Sequence, residues 1–174
     1  MTIRSLFSTL RNSIWILLIS VVAGCASSPS QVAQGFSCDM WYDGWGEKVA
    51  LLEYSYGDEI PSLHKKSQNE TGLGCAGLVW SPMPTASFLY VKWRIRSTNE
   101  IVEERVDLRG RLPYNMKDHE VTFVLDGRQL YVYLVTPKKI TTNLPQAPLR
   151  TWRSRHQVTY EIYPNNDLKT QERK

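Results

Sequence analysis

The side chains of definite chemical use in this chain of 174 residues are three cysteines, three histidines and one acidic stretch rich in aromatic rings. Cys38 and Cys75 stand alone in their segments, with no Cys-x-x-Cys pair, so neither redox chemistry nor a zinc cage is suggested by their spacing. In an oxidising compartment they are expected to bond to each other, and two buried free thiols are the alternative. Closing that loop would stabilise the fold by about 4 kcal/mol on the chain-entropy account. His64, His119 and His156 fall in three separate segments, without His-x-x-x-His or His-Glu-x-x-His spacing, so they do not form a metal ligand set. Asp118-His119-Glu120 has the residue types of a general base flanked by carboxylates, but at the start of a strand such a trio serves equally to cap it. Gly-x-Ser-x-Gly is absent, and Gly72-Leu73-Gly74 is followed by no lysine, which leaves it a turn before Cys75. The acids between Asp39 and Glu59 lack the twelve-residue calcium-loop pattern. The expectation is therefore a protein that is not an enzyme and holds no metal.

Binding is the remaining chemistry. Asp39, Trp41, Asp43 and Trp45 lie in a glycine-bearing stretch just after Cys38, and Asp58 and Glu59 extend its acidic character. Large rigid rings beside carboxylates bury area at low entropic cost, which makes these six residues a candidate partner-binding surface. The other reading is that the tryptophans plug one end of the fold as core. Acids dominate from Asp39 to Glu59, whereas Lys138, Lys139, Arg150, Arg153 and Arg155 stand together without an acid. Such opposed ends can steer a charged partner, or simply be solvated.

The third cysteine has a different setting. Arg4 and Arg11 precede an apolar run, Ile14 to Ala23, too short to span a bilayer comfortably, and Val22-Ala23-Gly24-Cys25 resembles the bacterial lipobox. The expectation is a signal peptide over residues 1–24, a lipid on Cys25 as the only attached group, and a tether over residues 25–35. Removing residues 1–24 leaves 150 residues, with 19 Lys and Arg against 17 acids. That near-balance gives no reason to expect nucleic acid. Ala26 after the cysteine, instead of aspartate, favours the periplasmic face of the outer membrane.

Residues 36–174 must position whatever binds. They alternate with a period of two and show no comparable helical period. In Phe88 to Ser97, Leu89, Val91, Trp93 and Ile95 share one face while Lys92, Arg94 and Arg96 share the other. Val49–Tyr56, Cys75–Trp80, Ile101–Leu108 and Val158–Tyr163 also read as strands. Val121–Leu125 and Leu130–Val135 flank Asp126-Gly127, a tight-hairpin signal, and the second of these is apolar on both faces, as a central strand would be. Thr136 to Arg155, with three prolines, reads as a long loop. The expected fold is all-β, an antiparallel β-sandwich of about seven strands in a single domain.

Four segments carry a resemblance: Leu52-Glu53-Tyr54-Ser55-Tyr56-Gly57-Asp58; Ser81-Pro82-Met83-Pro84 leading to Tyr90-Val91-Lys92-Trp93-Arg94; Val106-Asp107-Leu108-Arg109-Gly110-Arg111-Leu112-Pro113; and Asp126-Gly127-Arg128-Gln129-Leu130-Tyr131-Val132-Tyr133-Leu134. Over about residues 46 to 137 the chain resembles small lipoproteins that serve as immunity proteins to type VI secretion phospholipase effectors. The motifs are strand and turn patterns and transfer no inhibitory residue. The resemblance implies a membrane-anchored periplasmic protein that neutralises a cognate phospholipase by stoichiometric inhibition. A structural or assembly lipoprotein of an envelope or secretion complex is the alternative, and oligomeric state is open.

Overall fold

The computed structural model describes residues 31–38, 44–75, 77–141 and 153–171. The signal segment, Cys25, Asp39, Trp41 and Asp43 lie outside them. Among these described residues nine strands are formed: β1 (Val32–Cys38), β2 (Val49–Tyr56), β3 (His64–Lys66), β4 (Val79–Met83), β5 (Phe88–Ile95), β6 (Ile101–Asp107), β7 (Glu120–Asp126), β8 (Gln129–Lys139) and β9 (Gln157–Tyr163). Two short helices, α1 (Trp45–Lys48) and α2 (Asp167–Gln171), accompany them. The strands make two sheets, one ordered β4-β1-β7-β8-β9 and the other β3-β2-β5-β6.

The β-rich expectation holds, with two corrections. Nine strands replace about seven, and the first sheet is mixed, because β1 runs parallel to β7 while the remaining ladders are antiparallel. A parallel pair needs a long connection, and here the whole second sheet lies between β1 and β7 in the chain.

The expected tether also ends earlier than Gly35, since β1 begins at Val32. Its sequence conceals a strand because the inward Gln34 is polar. That side chain is fully buried and donates to the Met83 and Pro84 carbonyls at 2.7 and 3.1 Å. Gly35 faces the other way, and a Cβ there would lie 2.7 Å from the Trp80 ring, so only glycine lets that indole lie flat on the strand. The expected strand Cys75–Trp80 is displaced as well. Cys75 is in a loop, and pairing with β1 begins only at Val79.

Side-chain alternation builds the contact between the sheets. Leu89, Val91 and Trp93 are fully buried, as their shared face requires. Phe36 of β1 stacks on Tyr56 of β2 with centroids 4.5 Å apart, and Tyr54 packs against Phe123 of β7 at 6.1 Å. The β7–β8 hairpin forms as the Asp-Gly signal implies, with Asp126 opposite Gln129 and Gly127 at φ 58°. β8 is central, buried on both faces from Val132 to Thr136, and it continues to Lys139 inside the segment expected as a loop. Trp93 reaches across from the other sheet and donates its indole N–H to the Gly127 carbonyl at 2.8 Å. Trp93→Phe retains most of the ring but leaves that carbonyl without its donor, and is expected to cost about 1–2 kcal/mol. Urea unfolding would show a lower midpoint at unchanged slope.

Candidate partner-binding surface

Of the six candidate residues, Trp45, Asp58 and Glu59 lie within the described residues. Trp45 is 2 % exposed and packs on Phe123 with centroids 6.4 Å apart. Gly44, at φ 64°, turns the chain so that α1 lays this indole under β2 and β7. Trp45 is therefore core, not interface. Asp58 and Glu59 are exposed on the turn that follows Gly57. Asp39, Trp41 and Asp43 lie outside the described residues. Cys38 and Cys75 are bonded, with Cα atoms 5.5 Å apart.

Asp118-His119-Glu120 has a structural task. The Asp118 N–H donates to the Ala33 carbonyl and the His119 carbonyl accepts from the Gly35 N–H, both at 2.8 Å, which leads β7 alongside β1. The His119 ring lies 2.8 Å from the Lys117 carbonyl, and buried Glu120 accepts from the Ser37 hydroxyl at 2.5 Å. Among the described residues, no group of three or more His, Cys, Asp or Glu could hold a metal ion.

The wet face of the four-stranded sheet compensates its own charges. Register aligns Lys66, Glu53, Lys92 and Glu103 in one row across the four strands, alternating in sign. Glu53 approaches Lys66 at 3.7 Å and His64 at 3.4 Å, and Glu103 approaches Lys92 at 3.2 Å. Tyr90 donates to Glu103 at 2.9 Å. That hydrogen bond, with Lys92 behind it, holds the Glu103 carboxyl below its ordinary range, while desolvation and Glu103 push Tyr90 up to about 12. A depressed carboxylate contributes stability above its unfolded value and loses it as pH falls through the folded one. Tyr90→Phe removes the largest cause, so the Glu103 titration is expected to move up toward ordinary glutamate. Carboxyl NMR would follow it, and an unchanged midpoint would refute the assigned cause.

The apolar surface lies beside the disulfide. Phe36, Cys38, Tyr54, Leu73 and Val79 line a cleft of about 190 Å³, with Lys65 at its mouth. Its lining joins Lys65 of β3 with Val79 of β4, the first strand in the order of each sheet. Next to it Leu78, Val79 and Trp80 are 38, 42 and 43 % exposed, three consecutive large apolar side chains. The loop that supports them is fixed to β2. Ser67 and Leu73 donate backbone N–H groups to the Leu52 and Leu51 carbonyls at 2.7 and 2.6 Å, using the irregularity in β2 between Leu51 and Glu53. Gly72, at φ 91°, passes so close that a Cβ would sit 2.8 Å from the Leu51 oxygen.

The signal for this surface was present as the run Leu78-Val79-Trp80, which continuous apolarity makes look like a buried strand. Burial depends on neighbours, and among the described residues β4 has a neighbouring strand on one side only. No family model, no curated protein and no solved structure matches this chain.

Proposed function

We propose that this protein is a lipid-anchored periplasmic binder, one β-sandwich domain behind a cleaved signal, that neutralises a type VI secretion phospholipase by stoichiometric blockade. The observation that carries the binding role is the exposed run Leu78-Val79-Trp80 beside an apolar cleft. Large apolar side chains exposed on both faces of a strand are costly to leave wet and are what an interface covers. The partner's identity comes from the sequence resemblance. The membrane location comes from Cys25, which holds the inhibitor at the outer membrane's periplasmic face, in the compartment where such an enzyme meets lipid.

The test is co-expression. Periplasmic expression of the phospholipase encoded beside this protein is expected to arrest growth, and this protein to relieve the arrest and to elute with the enzyme as a 1:1 complex. Undiminished arrest together with no recovered complex would refute the proposal.

A further inference from the structure

Resting on that reading, we propose that β4 is the docking edge. An extended, acid-bearing segment of the phospholipase adds a strand to the five-stranded sheet, places one apolar side chain in the cleft beside the disulfide and sets a carboxylate on Lys65.

The backbone directions follow from hydrogen bonds already described. Ala33 and Gly35 turn their backbone groups toward the β7 side, so Gln34 and Phe36 turn theirs toward β4, where their register partners are Ser81 and Val79. Alternation then points the backbone groups of Trp80 and Pro82 away from β1, to a side on which no described strand lies. Trp80 offers a donor and an acceptor there, whereas Pro82 offers an acceptor alone. Side chains alternate in the same way. A residue docked opposite Val79 points with it into the cleft, and one docked opposite Trp80 lies against the indole on the outer face.

The other three edges are protected. β3 is His64-Lys65-Lys66, exposed throughout. β6 carries Glu103, Glu104, Arg105 and Asp107, and β9 has α2 packed against it. β4 carries no charge at all, and charge is the common guard of a free edge.

Size and charge select the occupant. About 190 Å³ holds one leucine- or phenylalanine-sized side chain and falls below the roughly 300–1,000 Å³ of small-molecule sites, so the cleft suits a protein segment over an acyl chain. His64 and Lys66 are engaged by Glu53, while Lys65 forms no ion pair among the described residues and stands at the apolar mouth. A partner carboxylate complements it. A second copy fits badly, because residues 77–84 contain no acid and Pro82 would withhold a donor at each end of a symmetric pairing.

The experiment titrates the full-length inhibitor in detergent with catalytically inactive phospholipase, comparing wild type, Lys65→Glu, Trp80→Pro and the control Lys169→Glu, the same charge reversal on the helix beside β9 at the far edge of the sheet. Lys65→Glu changes one exposed side chain, and Trp80→Pro removes an N–H that β1 does not use. Each is expected to weaken binding by about tenfold or more, and the control to stay within about twofold. Hydrogen exchange at the Trp80 amide is expected to slow in the complex. If wild type binds while both variants bind equally well, or if that amide stays unprotected, the docking edge is overturned and the inhibitor role stands. No complex with wild type overturns both. A wild-type dimer in sedimentation that Trp80→Pro abolishes would assign the edge to a second copy and also overturn the inference.

Discussion

Cys25→Ala is expected to move the protein from the membrane fraction to the soluble periplasm and to reduce protection by about two orders of magnitude, with solution affinity for the phospholipase unchanged. Each buried methylene of an attached chain contributes about 0.8 kcal/mol, so a sixteen-carbon chain contributes on the order of 12 kcal/mol, and two or three make the attachment stable. Among the described residues no helix is long and apolar enough to cross a membrane. An anchor on Cys25, as proposed, would also fix position. Six residues separate Cys25 from Val32, where β1 begins, and fully extended they span at most about 21 Å. Val32 pairs with Met83, so the end of β4 is held at the same level as the start of β1. A binder confined to the surface that its target attacks acts at an effective concentration that dilute periplasmic protein does not reach, an advantage of about 10²–10⁴. Fractionation and survival assays with matched protein levels test this. Equal protection by the soluble variant would remove the anchor from the mechanism.

How much of this was legible depends on where each residue's partners lie. β5 could be read from its own alternation, since Leu89, Val91 and Trp93 face the core while Lys92 and Arg94 face water, and a single strand displays that contrast. The β7–β8 hairpin could be read from Asp126-Gly127 because turn chemistry is local. β1 could not, because its stabilising features are Gln34 bonded to the Met83 and Pro84 carbonyls and Gly35 under Trp80, both contacts with residues nearly fifty positions away. The parallel pairing of β1 with β7 is equally non-local. Trp45 shows the same limit at the candidate site. Beside acids and a glycine it has the composition of an interface residue, and only the packing of α1 on Phe123 makes it core. Edge position decided the rest. The Leu78-Val79-Trp80 run has the composition of a buried strand, and it is exposed because β4 is last in its sheet.

Replacing both Cys38 and Cys75 by serine is expected to lower stability by about 4 kcal/mol, the entropy restored to the unfolded chain by opening a loop of 37 residues. In a domain whose total stability is of order 5–15 kcal/mol this is a large fraction, and at 2–4 °C per kcal/mol the melting temperature should fall by roughly 8–16 °C. The position of the bond extends its effect to the surface. Cys38 ends β1 in one sheet, and Cys75 ends the loop stitched to β2 in the other, so the disulfide fastens the two sheets where the cleft opens. The Ser67 and Leu73 backbone bonds remain without it, so the cleft wall is expected to loosen and not to vanish. Partner affinity should fall severalfold, while the hairpin contact from Trp93 to Gly127 is left intact. Thermal unfolding of the double serine variant, compared with wild type under reducing and non-reducing conditions, measures the first effect. Reduced wild type should match the variant. A loss below about 1 kcal/mol would mean that the backbone bonds of the loop already confine the chain as tightly as the disulfide does.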